Sequence, residues 1–202
     1  MGEGLNEDGM DDEDSDVDMA AVGGFTAKNE ELTSSVFPLL TSSLLSLIEP
    51  TSLSFPPPNR LSLHPPTTSA LGSIHICAFE CLNNIVLSLA TSPHSAISSD
   101  TAYGKKLWQA VWSSLEKIGD PDSTVGDTRR RMWETGVGVL WGISVIYKGI
   151  IAPEEQHVQI LMKISEAAWS DDSVKVKCIG TLECLAQHQE FVNANQASSY
   201  SC

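Results

Sequence analysis

The residues whose types and spacing can do chemistry in this 202-residue chain point to binding rather than to making or breaking bonds. The densest group is Asp11, Asp12, Glu13, Asp14, Asp16 and Asp18, within the run EDGMDDEDSDVDM. Carboxylates packed this closely steer a Lys/Arg-rich protein into encounter and shield it from nucleic acid; the same charges also solubilise any chain that carries them. Met10 and Met19 offer apolar anchors in the run, and phosphorylation of Ser15, between two acids, would deepen its charge. Asn83 and Asn84 lie mid-helix in ECLNNIVLSL, where Asn has poor helix propensity. An Asn amide, donor and acceptor at once, can hold the backbone of an extended peptide, or can be satisfied by a neighbouring helix or water. The five tryptophans recur at helical spacing in the last hundred residues. Core packing accounts for most; one or two, Trp141 foremost, are available to a repeat surface.

The remaining clusters do not assemble a catalytic or metal site. Gly136, Gly138 and Gly142 in GVGVLWG lack the spacing and the preceding strand of a dinucleotide loop, and fit close helix-helix approach instead. Arg129, Arg130 and Arg131 stand at the start of a helix, where positive charge opposes the helix dipole. They suit an acidic loop, a phosphate or an exposed first turn. Cys77 and Cys81 lie one helical turn apart, but Cys178 and Cys184 add no second close pair of zinc spacing, so all are expected to be core thiols. The histidines occupy separate segments, with no HExxH, GxSxG or P-loop. No enzyme and no cofactor are expected.

The elements that position these residues are helices. Apolar residues recur at spacings of three and four, and no segment alternates as a strand would. A first helix over residues 30–48 is expected to bury Val36, Leu39, Leu40, Leu44, Leu47 and Ile48, with Pro38 in its first turn. Residues 49–67 form an extended Pro-rich connector, since residues 50–66 hold six of the ten prolines. Five helices follow over residues 68–190, in a rhythm near the ~40–47 residues of HEAT and armadillo repeats. Ile74 on the first, Leu107, Trp108, Val111, Trp112, Leu115 and Ile118 on the second and Met162 on the fourth are expected inside, and an Asp171/Asp172 cap starts the fifth. Residues 1–29 and 191–202 are expected to be disordered. The fold class is all-α, a HEAT/armadillo-like helical repeat solenoid, with a compact helical bundle as the alternative for the same pattern.

Charge and hydropathy narrow the function. Nine of the 26 acids lie in residues 1–20, leaving 17 acids against 12 bases elsewhere, which disfavours direct nucleic-acid binding. The longest uncharged apolar stretch, residues 135–147, is too short to span a membrane, and the N-terminus has no export signal, so no membrane partner is expected.

The acid run, the leucine-rich helix, the segment LSFPPPNRLSLHPPTTSALGSIHICAFECLNNIVLSLA, and the Trp-rich GKKLWQAVWSSLEKIGD and RRRMWETGVGVLWGISVIYKG together resemble the C-terminal part of the fungal symportin family. Its members are armadillo/HEAT-repeat adaptors. The resemblance implies a chaperone for basic ribosomal proteins of the 5S RNP, of the uL18 and uL5 type, carried from cytoplasm to nucleus with a karyopherin. It further implies that the acid run is a displaced internal loop, that the chain is a fragment, and that karyopherin contact runs through regions absent from it. On this reading the six acids give electrostatic capture, and Asn83, Asn84 and Trp141 line the repeat surface. The alternative is a repeat scaffold for another protein, with the acid run only solubilising it.

Overall fold

A computed structural model describes residues 36–57, 60, 62–91, 99–119, 127–152, 154–167 and 171–189. The acid run, both segments expected to be disordered, and Trp169 lie outside the described residues. Six helices are described: α1 (Val36–Ile48), α2 (Pro65–Ala90), α3 (Thr101–Ile118), α4 (Asp127–Ile146), α5 (Glu155–Glu166) and α6 (Asp172–Ala186). Among the described residues there is no strand, and the architecture is all-α.

Local chemistry sets where these helices begin and end. Pro65 and Pro66 occupy the first turn of α2, where a missing N–H costs nothing, and the His64 ring accepts from the Thr67 N–H. Asp100 and Asp171 cap α3 and α6, accepting from the N–H groups of Tyr103 at 2.9 Å and Val174 at 2.8 Å. At the far end of α3 the chain turns through Gly119 at φ 87°, a conformation that a side chain would strain.

The helices form two layers. α4 packs on α2 along one flank, on α6 along the other and on α3 beneath, while α5 packs on α6. Phe37 of α1 meets Tyr103 of α3 edge to face, and His157 of α5 stacks on Trp112 of α3. The arrangement is three stacked pairs, α1/α2, α3/α4 and α5/α6, with α2, α4 and α6 side by side in one layer. Each pair covers the apolar face of its neighbour, as in repeat proteins. The pairs begin at residues 36, 101 and 155, so the repeat is longer than the rhythm expected from the sequence. The 26-residue α2 and its long connector lengthen the first interval.

Several burial expectations hold. Leu107, Trp108, Val111, Trp112, Leu115 and Ile118 of α3 are all buried. Others are corrected. In α1 the inward stripe is Phe37, Thr41, Leu44 and Ile48, while Val36, Leu39, Leu40 and Leu47 remain 45–72% exposed. Thr41 can take an inner position because its hydroxyl bonds back to the Phe37 carbonyl at 2.8 Å and meets the Tyr103 hydroxyl. Ile74 and Met162, expected inside, are about half exposed. Cys77 and Cys81 are exposed rather than core thiols, because α2 buries a different stripe, His75, Ile76, Phe79, Leu82 and Val86. Cys178 and Cys184 are buried as expected.

The connector departs from a plain extended spacer. A turn closes between the Phe55 N–H and the Thr51 carbonyl at 3.0 Å, and Phe55 enters the core beside His75. By length and composition α2, rather than residues 135–147, is the described helix apolar enough to cross a membrane; here Phe79, Leu82 and Val86 supply its fully buried positions.

Candidate functional site

The expected binding residues on the repeats fall on two different faces, and α4 explains why. Its glycines admit neighbours that a methyl group would exclude. A Cβ at Gly138 would lie 2.6 Å from Asn83 Oδ1, one at Gly142 2.6 Å from a Val86 methyl, and one at Gly136 2.7 Å from Leu115. GVGVLWG is therefore a contact surface for α2 and α3, as the sequence suggested. Gly180 of α6 does the same for Trp141, whose Nε1 would be 2.6 Å from an added Cβ.

Asn83 and Trp141 thus share the α2/α4/α6 layer, either side of one turn of α4. The Lys177 ammonium also reaches this turn, 3.6 Å from where a Gly138 Cβ would sit. Glu134, one turn earlier on α4, has its carboxyl pushed above the ordinary range, first by burial and then by Asp171, against the pull of Arg130 and Arg131. Asn83 Oδ1 is buried without a hydrogen-bond partner among the described residues. The cluster therefore offers amide, indole, ammonium and carboxyl groups within one layer, a set suited to holding polypeptide.

Asn84 goes elsewhere. Successive helical residues are turned by about 100°, so it leaves the Asn83 face and is exposed. It lines a groove of about 480 Å³ between α1 and α2, with Val36, Phe37, Leu40, Ile85, Ser88 and Leu89. A second apolar groove between the same helices is lined by Leu44, Leu47, Ile74, Cys77 and Cys81. The sequence missed these grooves because the leucines of α1 suggested a wholly inward stripe.

The arginine run resolves one residue at a time. Arg129 is buried and donates from Nη1 to the Ile118 carbonyl at 2.6 Å and from Nη2 to the Pro56 carbonyl at 2.7 Å, with its guanidinium 5.8 Å from the Phe55 ring centre. Its charge faces the C-terminal carbonyls of α3, where the dipole favours it. Arg131 pairs with Glu80 at 3.2 Å on the surface. Trp108, Trp112 and Trp133 are core residues, and Trp133 Nε1 donates to the Gly119 carbonyl at 2.9 Å.

The buried Cys178 thiol is unreactive in this setting. Burial pushes the Cys178 thiol up to about 12, leaving it uncharged at neutral pH. Among the described residues no three His, Cys, Asp or Glu side chains come together to hold a metal ion.

A family model described as SYO1-like, TPR repeats, matches residues 35–200. The chain belongs to the SYO1-like repeat family. The match agrees with the resemblance to the C-terminal part of symportin, and the SYO1-like fold is a helical repeat of the non-catalytic adaptor type. No curated protein and no solved structure matches the chain.

Proposed function

We propose that this SYO1-like chain is a non-enzymatic adaptor that chaperones basic ribosomal proteins of the 5S RNP, of the uL18 and uL5 type, between cytoplasm and nucleus and toward large-subunit assembly. The observation that carries the reading is the SYO1-like repeat array in a chain that also places nine acids in residues 1–20. Highly basic proteins need their charge covered until they meet RNA, and a dense carboxylate run supplies the opposite charge. Asp11, Asp12, Glu13, Asp14, Asp16 and Asp18 give capture. Asn83 and Trp141 then hold polypeptide on the α2/α4/α6 layer, and Asn84 contributes from the α1/α2 groove. In this role the chain makes no direct nucleic-acid contact.

The test is a pulldown with the chain from nuclear and cytosolic extracts, read by mass spectrometry. Enrichment of RNA-free 5S-binding ribosomal proteins is expected. The apolar grooves between α1 and α2 favour a second reading, a scaffold for another protein. Recovery of one large non-basic partner in place of ribosomal proteins would select it.

A further inference from the structure

His157 is not used by the proposed binding surface, yet it occupies the seam between the second and third helical pairs. Its ring lies flat on Trp112, with centroids 4.0 Å apart and planes 6° from parallel, and Trp108 meets it edge-on at 6.2 Å. The side chain is buried. Nδ1 has no hydrogen-bond partner among the described residues, and Nε2 stands 3.8 Å from a Glu116 oxygen and 3.9 Å from a Glu154 oxygen, beyond hydrogen-bond reach.

We infer that His157 is a pH-sensitive latch: as a neutral ring it stacks on Trp112 and holds α5 on α3, and as an imidazolium it loosens that seam. The physical reason is a balance of three terms. An imidazolium presents two N–H donors, and the one on Nδ1 would be buried without an acceptor. Glu116 from α3 and Glu154 at the start of α5 pull toward protonation, but both carboxylates are solvent-exposed, and Gln156 Nε2 donates to the same Glu116 oxygen at 3.4 Å. Among the described residues these two carboxylates are the charges acting on the ring, and the described part of α6, packed against α5, contributes none. Stacking on the indole face also favours the cation.

Burial is the largest effect and holds the His157 pKa below 6.5, against the two glutamates. The sign follows. Between the lowered folded value and 6.5 the unfolded chain binds more protons than the folded one, so stability rises with pH in that window. The contribution of the latch is complete above about pH 6.5 and is lost as pH falls through the folded value. Because the contacts being lost are at one seam, the response should be local opening of α5 rather than uniform loosening.

Hydrogen exchange of the full chain at pH 7.5 and pH 5.5, corrected for intrinsic exchange, together with an NMR titration of the His157 ring, tests this. Wild type should lose several-fold protection in α5 and adjoining α3, with a ring midpoint below 6.5. His157→Phe keeps an aromatic ring on Trp112 and should abolish the pH response. Glu116→Gln leaves the ring in place, removes one favourable charge and should move the midpoint lower, which keeps the test informative should the Phe variant fail to fold. A midpoint above 6.5, an equal pH response in His157→Phe, or an unmoved or raised midpoint in Glu116→Gln would overturn the latch.

Discussion

The Arg129 guanidinium joins three segments that are far apart in sequence: the end of α3 through Ile118, the connector through Pro56, and the start of α4 on which it sits. Removing it leaves two carbonyls without their charged donor, one of them at a helix terminus. Arg129→Ala should therefore cost about 1.5–3 kcal/mol in urea unfolding, the range for hydrogen bonds to a charged group. Arg129→Lys should recover little, because an ammonium cannot span two carbonyls with a planar fork. A loss from the Ala variant no larger than that of a surface residue would show that the carbonyls find other donors. The sequence showed that a basic residue stood where the dipole of its own helix disfavours it. It did not show that the end of a different helix receives the charge, because that depends on the connector folding back.

At the scale of elements, the α3 core stripe, the Asp171 cap and the glycines of α4 were all legible, because each rests on a local rule: periodicity, side-chain capping or a missing Cβ. The phase of α1 was not. Leucines surround that helix, and only the three-dimensional partners select Phe37, Thr41, Leu44 and Ile48 as the inner stripe. For the same reason Cys77 and Cys81 read as core, while α2 turns them outward. The placement of the candidate binding residues was not legible. Asn83 packs on Gly138 and Trp141 on Gly180, whereas Asn84 faces another groove. The distinction gives a paired prediction for α1. Leu44→Ala should cost about 2–5 kcal/mol, as for a buried leucine, while Leu39→Ser should stay within about 0.5 kcal/mol. Equal losses in denaturant melts would show that the exposed face of α1 is covered in solution.

For the whole molecule, three helical pairs form a stacked array, and the densest charge in the chain precedes it. The proposed division of labour is that carboxylates set how fast a basic ribosomal protein arrives and the α2/α4/α6 layer sets how it is held. Electrostatic steering acts mainly on the association rate and fades as salt screens it. The most direct measurement is stopped-flow association of the full chain with an RNA-free 5S-binding ribosomal protein across a salt series. Native chain is compared with a variant in which Asp11, Asp12, Glu13, Asp14, Asp16 and Asp18 become Asn, Gln or Ser. The account predicts association at least ~10-fold slower for the variant at low salt, with the two chains converging as the screening length shrinks from ~10 Å at 0.1 M toward ~3 Å at 1 M. Equal association rates at low salt would contradict it.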